Sequence, residues 1–143
     1  MEPITEPVDA TVIERRIRIE SDHDTVFKYW VEPARLIRWM GRSATLEAHV
    51  GGLFRVDYNG TDIVRGEFVE VDRPHRLVIS WGWEAPGDSV PPGASRVEVT
   101  FVEESGGTVV TVRHLNLPDD SRASHAEGWD HFLPNLPGAV AAG

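Results

Sequence analysis

At 143 residues the chain has the size of one domain, and it carries 14 basic against 23 acidic residues, a formal net charge of −9. That balance excludes a surface built to neutralise nucleic-acid phosphates or anionic lipid, since either needs clustered Lys and Arg. The absence of cysteine excludes disulfides, thiolate metal sites and a cysteine nucleophile, and fits a reducing compartment.

Residues 1–11, acidic and with two prolines, read as a loose tail. They lack the apolar stretch of a secretory signal, and no apolar run in the chain approaches the ~20 residues of a membrane span. A cytoplasmic location is expected by elimination. From Val12 the pattern alternates, with Ile13, Arg15, Ile17 and Ile19 on one face and Glu14, Arg16 and Arg18 on the other, the period of a half-buried strand. Ser21 is the expected N-cap of a helix, with Asp24 three residues on and Val26, Phe27 and Trp30 as its apolar stripe. Pro33 stops that helix and opens a second short one, on which Leu36, Trp39 and Met40 share a face.

The middle of the chain predicts consecutive strands: 45–49, 53–58, 62–71, 75–83, 96–103 and 108–115. Asn59-Gly60 is the strongest hairpin signal. Leu77, Ile79, Trp81 and Trp83 share one face; so do Val97, Val99 and Phe101, and so do Val110, Val112 and His114. Residues 84–94, with three prolines and two glycines, form a loop. After Pro118 the period becomes helical, with His125, Trp129, Phe132 or Leu133, Leu136 and Val140 recurring every three or four residues. A helix is predicted over 120–133, followed by a kink or break, because Pro134 and Pro137 each remove a backbone donor. Residues 12–143 thus read as a single α+β domain. Its curved antiparallel sheet of six to seven strands surrounds a long C-terminal helix, and two short helices follow the first strand.

Several stretches together resemble a known family. They are Leu36-Ile37-Arg38-Trp39-Met40-Gly41, Val50-Gly51-Gly52-Leu53-Phe54-Arg55-Val56, the run from Arg65 to Leu77, Thr111-Val112-Arg113-His114, and His125-Ala126-Glu127-Gly128-Trp129 followed by Leu133 and Leu136. In this order, over residues 12–138, they are similar to the activator of Hsp90 ATPase homologue-like proteins of the START-like (helix-grip, SRPBCC) superfamily. The resemblance implies a cavity for a small hydrophobic molecule (aromatic, acyl or lipid-like) between sheet and helix. Its family name suggests a chaperone ATPase as an alternative partner. The unbroken last helix usual in the family is interrupted here by Pro134 and Pro137, which leaves the far end of the cavity expected to be shorter or open.

Trp39, Trp81, Trp83, Trp129 and Phe132 are expected to converge on the gap between helix and sheet, with Phe54 opposite. Met40, Val99, Val112, Leu133 and Leu136 complete the expected ligand-binding set. His114 and Arg15, both facing inward by strand parity, either orient a polar group of a ligand or make structural hydrogen bonds. His125 lies one turn before Trp129 and is either a ligand contact or general base, or a packing residue. A cyclase-, isomerase- or hydrolase-type enzyme is the third alternative, although no catalytic motif is found. No histidine pair has the i,i+4 spacing of a helical zinc site, no phosphate loop or dinucleotide fingerprint occurs, and neither metal nor cofactor is expected. Asp57, Glu67, Glu98 and Glu103 read as solvated acids, Glu67 being undecided between rim and interior. An exposed edge of such a meander makes a homodimer plausible.

Overall fold

The computed structural model describes residues 11–143, so the expected tail lies outside the described residues except for Thr11. Seven strands are formed: β1 (Ile13–Ile19), β2 (Ser43–Leu46), β3 (Leu53–Asp57), β4 (Ile63–Asp72), β5 (Arg76–Trp81), β6 (Ser95–Glu104) and β7 (Gly107–Leu115). Helices α1 (His23–Val31) and α2 (Pro33–Leu36) follow β1, and α3 (Arg122–Phe132) and α4 (Leu136–Ala142) end the chain. The strands make one sheet in the order β1-β7-β6-β5-β4-β3-β2. Every pairing is antiparallel. The first strand therefore closes the meander beside the last, and α1 and α2 carry the chain from one edge of the sheet to the other. No helix among the described residues is long and apolar enough to cross a membrane.

Alternation decides the two faces. In β6 and β7, Val97, Val99, Phe101, Val110 and Val112 are fully or almost fully buried on the concave face, against α1 and the C-terminal helices. The convex face carries charge in register. Glu14 stands opposite Arg113, Arg113 opposite Glu98, Glu98 opposite Val78 and Val78 opposite Glu70. Arg113 reaches both Glu14 (3.3 Å) and Glu98 (3.3 Å), and Arg76 bridges Glu70 (3.2 Å) and Glu98 (3.5 Å). Val78 is fully buried in this row, and Glu98 is not a freely solvated acid but is held between two guanidiniums. Glu67 is exposed on the convex face beside Arg65, which decides it as an outward residue.

Two details correct the sequence expectations, and a third gives the expected kink its form. Asp22, not Ser21, caps α1: its carboxylate accepts from the Thr25 amide (3.0 Å) and hydroxyl (2.7 Å). A charged acceptor satisfies two donors and complements the positive end of the helix, so it outcompetes the serine. Ser21 instead belongs to the turn after β1, its carbonyl accepting from the Thr108 hydroxyl (2.7 Å). Second, β5 ends at Trp81, and Trp83 keeps the inward side through a single bridge to Val64. Third, Pro134 and Pro137 interrupt the last helix without ending it. A 3-10 turn (Leu133–Asn135) joins α3 to α4, and each proline falls at the start of a new helical segment, where its missing donor costs least. Leu133 and Leu136 remain buried across this joint.

Candidate ligand cleft

A half-open cleft of about 560 Å³ lies where α3, along its whole length, faces one end of the sheet. Three connections far apart in sequence build its walls. The first is the β3–β4 loop, from Tyr58 to Ile63. Asn59 holds it, its side-chain oxygen accepting from the amides of Thr61 (2.9 Å) and Asp62 (2.7 Å), while the Gly60 amide donates to Asp57 (2.6 Å). Gly60 has φ +87°, the left-handed conformation that the Asn-Gly signal calls for. The second wall is the loop after β5, which contributes Trp83, Ala85, Asp88 and Ser89. Its base is closed by Trp83 N–H to Val90 C=O (2.8 Å), and the Val90 amide donates to Asp88 (2.8 Å). Gly82 makes this closure possible, because a Cβ there would overlap the Pro91 carbonyl. Glu84 anchors the loop to β3 through a two-pronged pair with Arg55 (2.7 and 3.2 Å), whose hydrogen bonds hold the Glu84 carboxyl below its ordinary range. The third wall is the 3-10 turn Asp119–Ser121 and α3, with His125, Gly128, Trp129 and Phe132 lining the cleft.

Aromatic rings form the deep part. Tyr58 lies 5.1 Å from Phe132 and 5.8 Å from Trp83, and Trp81 lies 5.4 Å from Trp129, all centroid to centroid. Burial raises the Tyr58 phenol above its ordinary pKa, so it stays a neutral hydroxyl. Trp81 is 4% exposed, and its indole N–H has no acceptor among the described residues.

Two histidines tie the helix to the sheet behind these rings. Trp129 Nε1–H donates to His114 Nδ1 (3.1 Å), and His114 Nε2 meets Ser95 Oγ (2.9 Å), which in turn donates to the Trp81 carbonyl (2.8 Å). An indole can only donate and a carbonyl can only accept, so the chain has one consistent direction: His114 is neutral and carries its proton on Nε2. Burial, and to a lesser degree His125, lowers its pKa to about 3. His125 has the opposite tautomer, accepting from Trp83 Nε1–H (2.9 Å) at Nε2 and donating from Nδ1 to the Ser121 carbonyl (2.7 Å). Both rings are thus occupied by structural bonds. Arg15 is likewise engaged, donating to Asp130 on α3 (2.6 and 3.3 Å). The three groups on which an acid–base reading rested are all partnered. Among the described residues no group of three or more His, Asp or Glu could hold a metal ion.

Of the sequence-predicted set, Met40, Trp81, Trp83, Trp129 and Phe132 line the cleft. Phe54, Val99 and Val112 are buried in the sheet core, and Trp39, Leu133 and Leu136 in the packing around α2 and the C-terminal joint. His114 is fully buried behind the cleft. These side chains fill the middle of the grip, and the open space lies between α3 and the loops at one end of the sheet. Tyr58, Asp62, Asp88, Asp120, Ser121 and Ser124 were not anticipated. Asn59-Gly60 and the proline-rich 84–94 stretch marked the loops that carry some of them, but not their convergence.

Comparison with known proteins agrees with this architecture. An AHSA1-like protein from Rhizobium etli shares 37% identity, with 91% of this chain and 81% of that one covered and a TM-score of 0.72. DynU16, from the dynemicin biosynthetic locus, matches with a TM-score of 0.79 at 21% identity; 93% of this chain is covered, which spans only 48% of DynU16. An HSP90 activator from Plasmodium falciparum matches at 22% identity and a TM-score of 0.77, covering 92% of this chain and 97% of that one. No curated protein sequence matches. Residues 21–141 match the family model described as activator of Hsp90 ATPase homolog 1-like protein, and the chain belongs to that family.

Proposed function

We propose that the chain binds a small aromatic or otherwise hydrophobic molecule in the cleft along α3. The observation carrying this reading is the cleft itself: about 560 Å³, walled by Tyr58, Trp81, Trp83, Trp129 and Phe132. Its size is that of a small-molecule site, with an aromatic part for an apolar body and polar residues such as Asn59, Thr61, Ser121 and Ser124 beside it. Burying ~200 Å² of apolar ligand surface corresponds to roughly 5 kcal/mol before the costs of association, enough for weak to moderate affinity. The test is an NMR titration of the labelled protein with a library of neutral aromatic compounds, following the five indole N–H signals. Binders should shift Trp81, Trp83 and Trp129, and the variant Phe132→Ala should weaken them about tenfold. A library that leaves these three indoles unmoved overturns the reading.

A second reading, regulation of a chaperone ATPase, is supported by membership of the family. It is tested by the rate of ATP hydrolysis of a purified Hsp90 with increasing amounts of this chain. Stimulation supports it, and a flat titration removes it.

A further inference from the structure

The charge around the cleft is one-sided. Asp62, Asp88 and Asp120 line it, and among the described residues no Lys or Arg does. Elsewhere many acids are matched to arginines: Asp24 to Arg73, Glu84 to Arg55, Glu98 to Arg76 and Arg113, and Asp130 to Arg15. The three cleft carboxylates form no ion pair among the described residues. Asp88 and Asp62 each accept one hydrogen bond, from the Val90 amide (2.8 Å) and the Asn59 side chain (2.8 Å), which leaves lone pairs open on both. Asp120 accepts none among the described residues.

The aromatic wall has the same polarity. Tyr58, Trp81, Trp83, Trp129 and Phe132 line the cleft as well, and an aromatic ring that turns its face to a ligand attracts a cation and repels an anion. The Tyr58 hydroxyl stays neutral and can accept a hydrogen bond from an ammonium group. The buried Trp81 N–H, without an acceptor among the described residues, adds a donor, and the hydroxyls of Thr61 and Ser124 can donate or accept. Aromatic side chains and unneutralised carboxylates lining one cleft are a combination suited to organic ammonium ions.

We infer that the cleft selects an organic cation, a protonated amine or quaternary ammonium on an aromatic body, and discriminates against carboxylate ligands such as fatty acids. The inference rests on the cleft being a ligand site.

Three isosteric probes separate the two claims: naphthalen-2-ylmethanamine, a cation at pH 7; naphthalen-2-ylmethanol, neutral; and 2-naphthoate, an anion. Affinities are read from the shifts of the Trp81, Trp83 and Trp129 indole signals. The amine should bind about tenfold more tightly than the alcohol, with naphthoate weakest, and the amine's advantage should shrink in 0.5 M salt, about half the Debye length of physiological buffer. Asp88→Asn with Asp120→Asn should narrow the amine-to-alcohol ratio to about twofold. Equal binding of amine and alcohol, or preference for naphthoate, overturns the charge selection while leaving an apolar site. Failure of all three probes to move the indoles overturns the site itself.

Discussion

Acidification is expected to destabilise this fold through His114. In the unfolded chain the imidazole titrates near 6.5, whereas in the folded chain burial, and secondarily His125, lowers it to about 3. The folded value is the depressed one, so between these two values the folded state binds fewer protons than the unfolded state. The His114 contribution is therefore complete above about pH 6.5 and is lost as pH falls toward 3. Between pH 7 and pH 5 the loss works out at about 2 kcal/mol, the free energy of protonating the unfolded imidazole with no matching gain in the folded one. At a urea slope of about 2 kcal/mol/M the unfolding midpoint moves down by about 1 M. Asp22, Asp24, Glu84 and Asp130 all have lowered values, but from ordinary values of 3.8 to 4.5, so their contributions are lost mainly below this window. The control is His114→Gln, which keeps one donor and one acceptor in the buried site. Imperfect hydrogen bonds to Ser95 and Trp129 cost it about 1–3 kcal/mol at both pH values. Its stability should nevertheless lose about 2 kcal/mol of the pH dependence seen in the parent. If parent and variant lose the same stability between pH 7 and pH 5, the folded imidazole protonates as readily as the unfolded one, and the directed relay from Trp129 to the Trp81 carbonyl is refuted.

Two further perturbations act elsewhere. Gly82→Ala forces apart the backbone at Pro91; it should cost about 1–3 kcal/mol and speed amide exchange at Trp83 and Val90. Unchanged exchange at both amides would show that the loop closes without that contact. Glu98→Gln removes the shared partner of Arg76 and Arg113 on the convex face. A loss of about 1 kcal/mol is expected in thermal or urea unfolding at low salt, shrinking in 1 M NaCl because all three side chains retain solvent contact. A salt-independent loss would mean that Glu98 acts by packing.

Strand identity was most legible where one face is apolar and the other charged. In β1, Ile13, Ile17 and Ile19 alternate with Glu14, Arg16 and Arg18, and the period alone assigns both structure and orientation. The last helix was legible in the same way, and its prolines pointed to the joint at Leu133–Asn135. Parity states which face a residue occupies, but not how deep under the helix it lies. Val99, Val112, Leu136 and Trp129 therefore read alike, although Trp129 alone of them borders open space. The cleft walls were not legible, because Tyr58–Ile63 and Trp83–Ser89 have no period and are joined by a single bridge, Val64 to Trp83, beyond the end of β5. Ser95 gave no signal either, since one serine at a strand start is unremarkable until His114 is found 2.9 Å away.

The division between a packed grip and loop-built walls has a consequence for how such a protein diversifies. Thr61, Ala85, Ser89 and Ser124 are exposed residues of the cleft on backbone that is tied off locally. None of them is part of the buried core. Exchanges at these positions alter what enters the cleft while leaving the side chains that drive folding in place. Trp81 and Trp129 belong to both the core and the cleft wall, so the floor of the cleft is bound to folding while its rim is free to vary.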